Sequence, residues 1–258
     1  MILAIDVGNT NIVMALMNKD KLLNAYRYST DKEEEYEYHK NNLSAFIGDW
    51  CIDGIIISSV VPEVNAYLKD ICFCLTGVMP LFVSSDMNTG LDIKYDNPHK
   101  LGADLIGVSV GAVKKYGAPA IIIDIGTATT FSIINQRCEY LGGMIAPGPC
   151  TSIKSLSDKA SQLPEIGFEL TDKVIGTNTV DCIKIGTITA HAAMLDGMID
   201  KVKASLGISD MRIIATGGLA KDIISLCNHK IIYDNNLIFS GLYELYVRNS
   251  TSNTVNLI

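Results

Sequence analysis

The sequence predicts an α/β protein of two similar domains, each a mixed sheet with a β-meander and flanking helices. Three observations carry that expectation. Short apolar runs bounded by Gly, Asn and Asp alternate with longer segments of helical spacing. Each half opens on such runs joined by short turns, too close together for an intervening helix. The opening pattern also returns: Ile5-Asp6-Val7-Gly8-Asn9-Thr10 is matched by Ile123-Asp124-Ile125-Gly126-Thr127-Ala128, with Asp and Gly at the same offset. The expected division is residues 1–117 and 118–258, the two first turns facing a shared cleft. No linker or low-complexity stretch separates the halves.

Element by element, Ile2 to Val7 is a buried strand ended by Gly8-Asn9, and Asn11 to Met17 a second, turned by Asn18-Lys19-Asp20. Leu22 to Tyr28 alternates as a third strand. Thr30 and Asp31 offer an N-cap for a helix reaching about Phe46, with Glu33, Glu34 and Glu35 as a solvated acidic first turn. Gly54 to Ser58 is a strand, Pro62 opens a helix ending near Gly77, and Pro80 to Ser84 is a further strand. Leu101 to Tyr116 has helical spacing and stops at Gly117. Ala120 to Ile125, Thr129 to Ile134 and Arg137 to Ile145 repeat the meander. Asp181 to Leu206 reads as one long helix, apolar on more than one face. Met211 to Thr216 is a strand before Gly217-Gly218, Leu219 to Cys227 a helix, and Asn235 to Arg248 the last helix. The polar stretch Asn249 to Asn256 is expected to fray.

Composition narrows the function. Of 258 residues, 48% are hydrophobic and 19% charged, which suits a chain with a full core rather than a disordered one. The formal charge of −7, with no Lys/Arg cluster, opposes a nucleic-acid partner. It also repels nucleotides at range, so a nucleotide site must be locally rich in backbone N–H groups, metal or Lys. Seven cysteines, an odd count with no CxxC pair, read as buried free thiols of a reducing compartment. The start, Met-Ile-Leu-Ala-Ile-Asp, has no basic n-region, and no apolar run approaches the ~18 residues of a bilayer span. A cytoplasmic protein without membrane contact is expected. His39, His99, His191 and His229 lack metal spacing, His191 reads as a core or interface residue, and Trp50 as packing.

Chemistry concentrates at the repeated turns. An Asp at a strand end can hold a metal ion, directly or through water. Gly8 lets the backbone approach an anion, and the N–H groups of Asn9, Thr10 and Asn11 can line a phosphate cradle. A lone Asp-x-Gly is an ordinary β-turn; its copy at Asp124, Gly126 and Thr127 turns the pair into a nucleotide clamp. Thr216-Gly217-Gly218, between strand and helix, lets a base or ribose come close to the backbone. Asp104, inside a mostly apolar run, is exposed, capping or functional, and a base near an attacking hydroxyl is what phosphoryl transfer can use.

Two phosphate loops followed by a late Gly-Gly loop, in that order, resemble the actin-like (ribonuclease H-like) ATPases and sugar kinases. Among these the chain is most similar to type III pantothenate kinases. The matching stretches are Asp6 to Asn11, Tyr95-Asp96-Asn97-Pro98 leading into Gly102-Ala103-Asp104, Asp124 to Thr130, Gly142 to Gly148, Gly176 to Thr179 and Ala215 to Ala220. They run through nearly the whole chain and are specific together rather than singly.

The resemblance implies ATP-dependent phosphorylation of pantothenate, the first step of coenzyme A biosynthesis, with Asp104 as general base. Asp6, Val7, Gly8, Asn9, Thr10, Asn11, Ile12 and Val13 would bind the ATP phosphates, with Asp6 toward the accompanying Mg2+. Thr127, Gly217 and Gly218 would also meet ATP. Tyr95, Gly102, Ala103, Asp104 and Leu105 would line the pantothenate pocket, and Thr179 would reach the substrate from the partner subunit of a homodimer. Asp124 would ligate K+ or NH4+. The chain departs from the pattern at Leu105, where many relatives carry Arg. That removes a bidentate grip on the pantothenate carboxylate, for which Lys100 is one replacement. The competing readings are a kinase of the same fold for another small alcohol or sugar, and a non-catalytic regulatory relative. Retention of Asp6, Asp104 and Asp124 and the net charge oppose the latter.

Overall fold

A computed structural model describes residues 1–30 and 36–250. The chain divides into two compact units. Unit 1 comprises residues 1–115, the short piece 138–140 and the chain from Asn236 onward; unit 2 comprises residues 116–137 and 141–235. The last helix of the sequence therefore belongs with the first unit.

Unit 1 is built on a five-stranded sheet of order β3-β2-β1-β4-β5, formed by β1 (Ile2–Val7), β2 (Asn11–Asn18), β3 (Lys21–Ser29), β4 (Gly54–Ser59) and β5 (Leu81–Phe82). The meander β1-β2-β3 is antiparallel, and β4 adds parallel to β1 after a crossover through helix α1 (Tyr36–Ile47). Helix α2 (Pro62–Thr76) has Pro at its first turn and ends on Gly77 at φ 72, as Pro and Gly at those positions dictate. Alternate residues Leu3, Ile5 and Val7 face a core with Ile55, Ile57, Leu43 and Leu68. The opposite sheet face is covered by helix α8 (Leu237–Ser250), which packs on β4 and β1. The identifying contact is Gly54, whose missing Cβ would lie 2.0 Å from the Tyr246 hydroxyl. Ile56 and Ser58, and in register Ile2, Ala4 and Asp6, share that covered face.

Helix α3 (Ala103–Tyr116) rests directly on α8. A Cβ on Gly241 would fall 1.8 Å from the Gly107 carbonyl oxygen and 2.9 Å from the Gly111 nitrogen, so the two backbones touch. Gly241→Ala is expected to cost about 1–3 kcal/mol by overpacking, read as a lower urea midpoint at unchanged slope. Lys114 and Arg248 both meet Glu244, at 3.1 and 2.7 Å, beside this contact.

Unit 2 carries the second meander: β7 (Ala120–Ile125), β8 (Ala128–Ile134) and β9 (Glu139–Pro147), extended by β10 (Arg212–Thr216) parallel to β7 and by β11 (Ile232–Tyr233). The first residues of β9, Glu139 and Tyr140, count with unit 1, where they pair in parallel with β6 (Asp92–Ile93). The unit 2 core joins Ile121, Ile123, Ile125, Phe131 and Ile213 to residues of α6 (Ala190–Leu206) and α7 (Ala220–Ile224). Each unit thus has the mixed sheet, meander and flanking helices read from the sequence.

Several elements differ from expectation. The long helix is three pieces: α5 (Thr179–Lys184), a π-helical segment Ile185–Thr189, and α6. Apolar spacing alone does not distinguish these windings. The structure adds β6, a 3-10 turn at Pro98–Lys100, helix α4 (Pro149–Lys159) and β11. The proposed cap at Asp31 and the Glu33–Glu35 turn lie outside the described residues, and the Thr30 hydroxyl is spent on the Gly8 carbonyl at 2.7 Å. Asn249 is anchored, its side chain accepting from Asn88 N–H at 2.9 Å and donating back to the Asn88 carbonyl at 3.2 Å, while residues 251–256 of the stretch expected to fray lie outside the described residues. Among the cysteines only Cys72 is buried; Cys51, Cys74, Cys150 and Cys182 are exposed, because they sit on solvent-facing positions of helices and loops. Trp50 is half exposed rather than packed away. No helix among the described residues is long and apolar enough to cross a membrane.

Candidate functional site

The two repeated turns each close a tight loop within their own unit, the second one residue shorter than the first. In unit 1 the Gly8 N–H donates to the Asn11 carbonyl at 2.9 Å, closing a tight loop whose tip, Asn9-Thr10, is exposed. Thr30 clamps the loop from the end of β3, through its N–H to the Thr10 carbonyl and its hydroxyl to the Gly8 carbonyl. In unit 2 the Gly126 N–H donates to the Ala128 carbonyl at 3.0 Å, with Gly126-Thr127 exposed. Both carboxylates, Asp6 and Asp124, stand half-buried at the strand end before the loop. Such loops present backbone N–H groups and a metal-seeking acid to an anionic ligand. Val7 and Ile12, by contrast, point into the unit 1 core, so only their backbone can face a phosphate.

Around the second loop the structure adds a close-packed collar. Gly217 has φ 101, and a Cβ there would lie 2.6 Å from the Asp124 Oδ1 and 2.5 Å from the Ile125 carbonyl oxygen. A side chain at 217 would fill the space beside the carboxylate, so glycine is required twice over. Gly148 donates its N–H to the Thr127 carbonyl at 3.0 Å, and the Thr151 hydroxyl reaches the same oxygen at 2.6 Å. Asp124, Thr127 and Gly217, chosen from separate motifs, are thereby brought together within unit 2, while Gly218 is exposed beside them. Behind the loop, Thr129 and His191 form a buried pair at 2.9 Å. Burial pushes the His191 pKa down, so the ring is neutral at neutral pH. His191 was expected in the core, and it is 7% exposed.

The unit 1 substrate candidates cluster at the start of α3. Asp104 is the second residue of that helix, in its first turn. Its Oδ1 accepts from the Leu105 N–H at 2.8 Å and occupies the space a Gly102 Cβ would fill, at 2.3 Å. Burial raises the Asp104 pKa above the usual carboxylate value, with the backbone hydrogen bond from Leu105 pulling in the other direction. Tyr95 is half exposed and stands edge-on to buried Tyr140, ring centroids 6.4 Å apart. Tyr140 went unnoticed in the sequence because strand β9 brings it there from 45 positions away, a separation visible only once β6 pairs with β9. Leu105 is half-buried, and Lys100 is exposed at the end of the 3-10 turn.

Thr179 is the first residue of α5 and exposed, held by Asn178, whose side chain accepts from the Asp181 N–H at 2.9 Å. A hydrogen bond from Lys173 keeps the Asp181 carboxyl below its ordinary value. Just before it, Val174 and Ile175 are 76% and 80% exposed.

Among the described residues no group of three or more His, Cys, Asp or Glu is placed to hold a metal.

Comparison with known proteins completes the description. A family model described as type III pantothenate kinase matches residues 2–201. A type III pantothenate kinase of Halalkalibacterium halodurans is 40% identical over 254 residues, covering 96% of this chain and 100% of the relative. One from Geobacillus kaustophilus is 40% identical over 255 residues, covering 97% and 98%. Among solved structures, a Baf family transcriptional activator from Campylobacter jejuni superposes with TM-score 0.62 at 20% identity, covering 97% of this chain and 99% of that one. Component A of the (R)-2-hydroxyglutaryl-CoA dehydratase of Acidaminococcus fermentans does so with TM-score 0.57 at 12% identity, covering 98% of both chains. At such identities these structures speak for the fold alone.

Proposed function

Since the chain belongs to the type III pantothenate kinase family, and is thus an ATP-dependent kinase that phosphorylates pantothenate in coenzyme A biosynthesis, we propose that Asp104 is the general base of that reaction. The observation that carries this is the placement of Asp104: a half-buried carboxylate at a helix start, its pKa raised by burial, next to Gly102 and in the same unit as Tyr95. A raised pKa brings a carboxylate closer to the value at which it accepts a hydroxyl proton efficiently.

In the same reading, Asp6 to Val13 receive the ATP phosphates, with Asp6 toward Mg2+. Thr127, Gly217 and Gly218 also meet ATP, and Asp124 holds K+ or NH4+. Tyr95 and the Gly102–Leu105 stretch line the pantothenate pocket. With Leu105 unable to grip a carboxylate, Lys100 is the cation offered two residues before Gly102. The test is ADP release with pantothenate and with a panel of other small alcohols, in K+ and then in Na+. Turnover confined to pantothenate and dependent on K+ supports the assignment; equal turnover of sugars refutes it.

The reading extends to a cytoplasmic homodimer in which Thr179 reaches pantothenate from the partner subunit. The support is the exposed apolar pair Val174 and Ile175 beside the Thr179 cap, a surface that water disfavours. Replacing both by Asp is expected to convert a dimer into a monomer by sedimentation while the fold persists by circular dichroism. A wild-type monomer, or a dimer insensitive to the change, would remove that part of the proposal.

A further inference from the structure

Ser58, the penultimate residue of strand β4, carries a buried hydroxyl that has no partner. Its side chain is 0% exposed, and its Oγ meets no hydrogen-bonding group. A buried unpaired hydroxyl is unfavourable, and native chains retain few of them without cause. The neighbours give no structural reason for it: Ile56, one pleat earlier on the same face, and Ala4, opposite Ile56 on β1, are apolar and fully buried. An Ala or Val at 58 would continue that face at no polar cost.

The register supplies the cause. Strands β4 and β1 are parallel and Ser58 is the direct partner of Asp6, so both side chains leave the same sheet face. Adjacent strands lie about 4.8 Å apart, within reach of a hydroxyl and a carboxylate that turn toward one another or share one metal-bound water. Asp6 is half-buried at the loop mouth while Ser58 is wholly enclosed behind it.

We propose that Ser58 is a positioning residue for the first phosphate loop: its hydroxyl donates to the Asp6 carboxylate when Mg-nucleotide is bound, fixing the orientation in which Asp6 meets the metal or its water. This rests on the reading of Asp6 as the Mg2+-facing acid. Groups that orient a metal-facing ligand from behind commonly set its affinity.

The experiment is calorimetric binding of ADP and a non-hydrolysable ATP analogue, with Mg2+ and with EDTA, to wild type, Ser58→Ala and Asp6→Ala. Ser58→Ala removes one oxygen from a buried site and is expected to melt no lower than wild type. It is expected to bind the Mg-nucleotide about 10-fold more weakly, with little change in EDTA. Asp6→Ala is expected to abolish the Mg2+ contribution for both nucleotides. If Asp6→Ala loses the Mg2+ contribution but Ser58→Ala binds as wild type, the Ser58 proposal is overturned and the Asp6 reading stands. If Asp6→Ala keeps the Mg2+ contribution, the Asp6 reading fails and the Ser58 role with it. A lowered melting temperature with unchanged Mg2+ dependence would mark Ser58 as structural only and overturn the proposal.

Discussion

Asp104→Asn is expected to reduce turnover by about 10²–10⁴-fold while ATP binding persists. The amide keeps the shape of the carboxyl and its acceptor oxygen for the Leu105 N–H, but cannot take a proton from the attacking hydroxyl. Two effects compete at this position. The first turn of α3 favours a negative charge, and burial disfavours it. Burial wins, since the pKa lies above the ordinary carboxylate value. Two pH signatures follow. The acid limb of kcat/KM should lie above the ordinary Asp value, activity falling as pH drops through the raised pKa. Folding stability should run oppositely: the folded state holds this proton more tightly than the unfolded chain. Stability therefore declines as pH rises from the ordinary Asp value through the raised one, and stays lower above it. The Asn variant escapes that penalty and should be at least as stable as wild type at neutral pH. Single-turnover kinetics and thermal melts against pH check both signs. Near-normal turnover would remove Asp104 as base; a marked loss of stability at neutral pH would refute the burial account.

What the sequence made legible follows from where its information is local. Strands β1, β2, β7 and β8 are continuous apolar runs cut by Asp-x-Gly, and they stand within a residue of where those signals put them. Helix α2 was bracketed by Pro62 and Gly77, whose backbone demands do not depend on context. Strands β6 and β11, two residues each, exist only because β9 and β10 offer an edge, so no local pattern announces them. Helix α4 is mostly polar, with no apolar stripe to announce it, and Pro147-Gly148-Pro149 at its start reads as a turn. In the same way, the Asp6 and Asp124 loops were visible as a repeat, and Asp104 as an acid in an apolar run. The roles of Tyr140 and Ser58 were not, because each is defined by a partner across the sheet. Thr30 shows the converse: its type signalled a cap, but tertiary structure spent its hydroxyl on the first phosphate loop.

Asp124→Ala is expected to weaken ATP binding by about 10-fold or more and to abolish the difference between K+ and Na+. The reason lies wholly within unit 2. Asp124 is flanked in register by Thr216 on β10 and Thr130 on β8, and Gly217 brings its backbone against the carboxylate. In the proposed reading, this one carboxylate beside the Ile125 carbonyl holds a K+ or NH4+ ion that completes its shell with carbonyl, phosphate or water oxygens. In that reading the cation would neutralise the carboxylate next to an incoming polyanion, so loss of the acid would remove both the ion and the attraction it confers. The decisive measurement is nucleotide affinity titrated with K+, NH4+ and Na+ on wild type and variant. If Asp124→Ala keeps full K+ activation, the cation lies elsewhere. If the variant loses ATP affinity but wild type is indifferent to the cation, Asp124 acts through its own hydrogen bonds instead. Gly217→Ala gives an independent view of the same geometry: its Cβ would crowd Asp124 Oδ1 and Ile125 O without removing either, so cation selectivity should suffer while the acid remains in place.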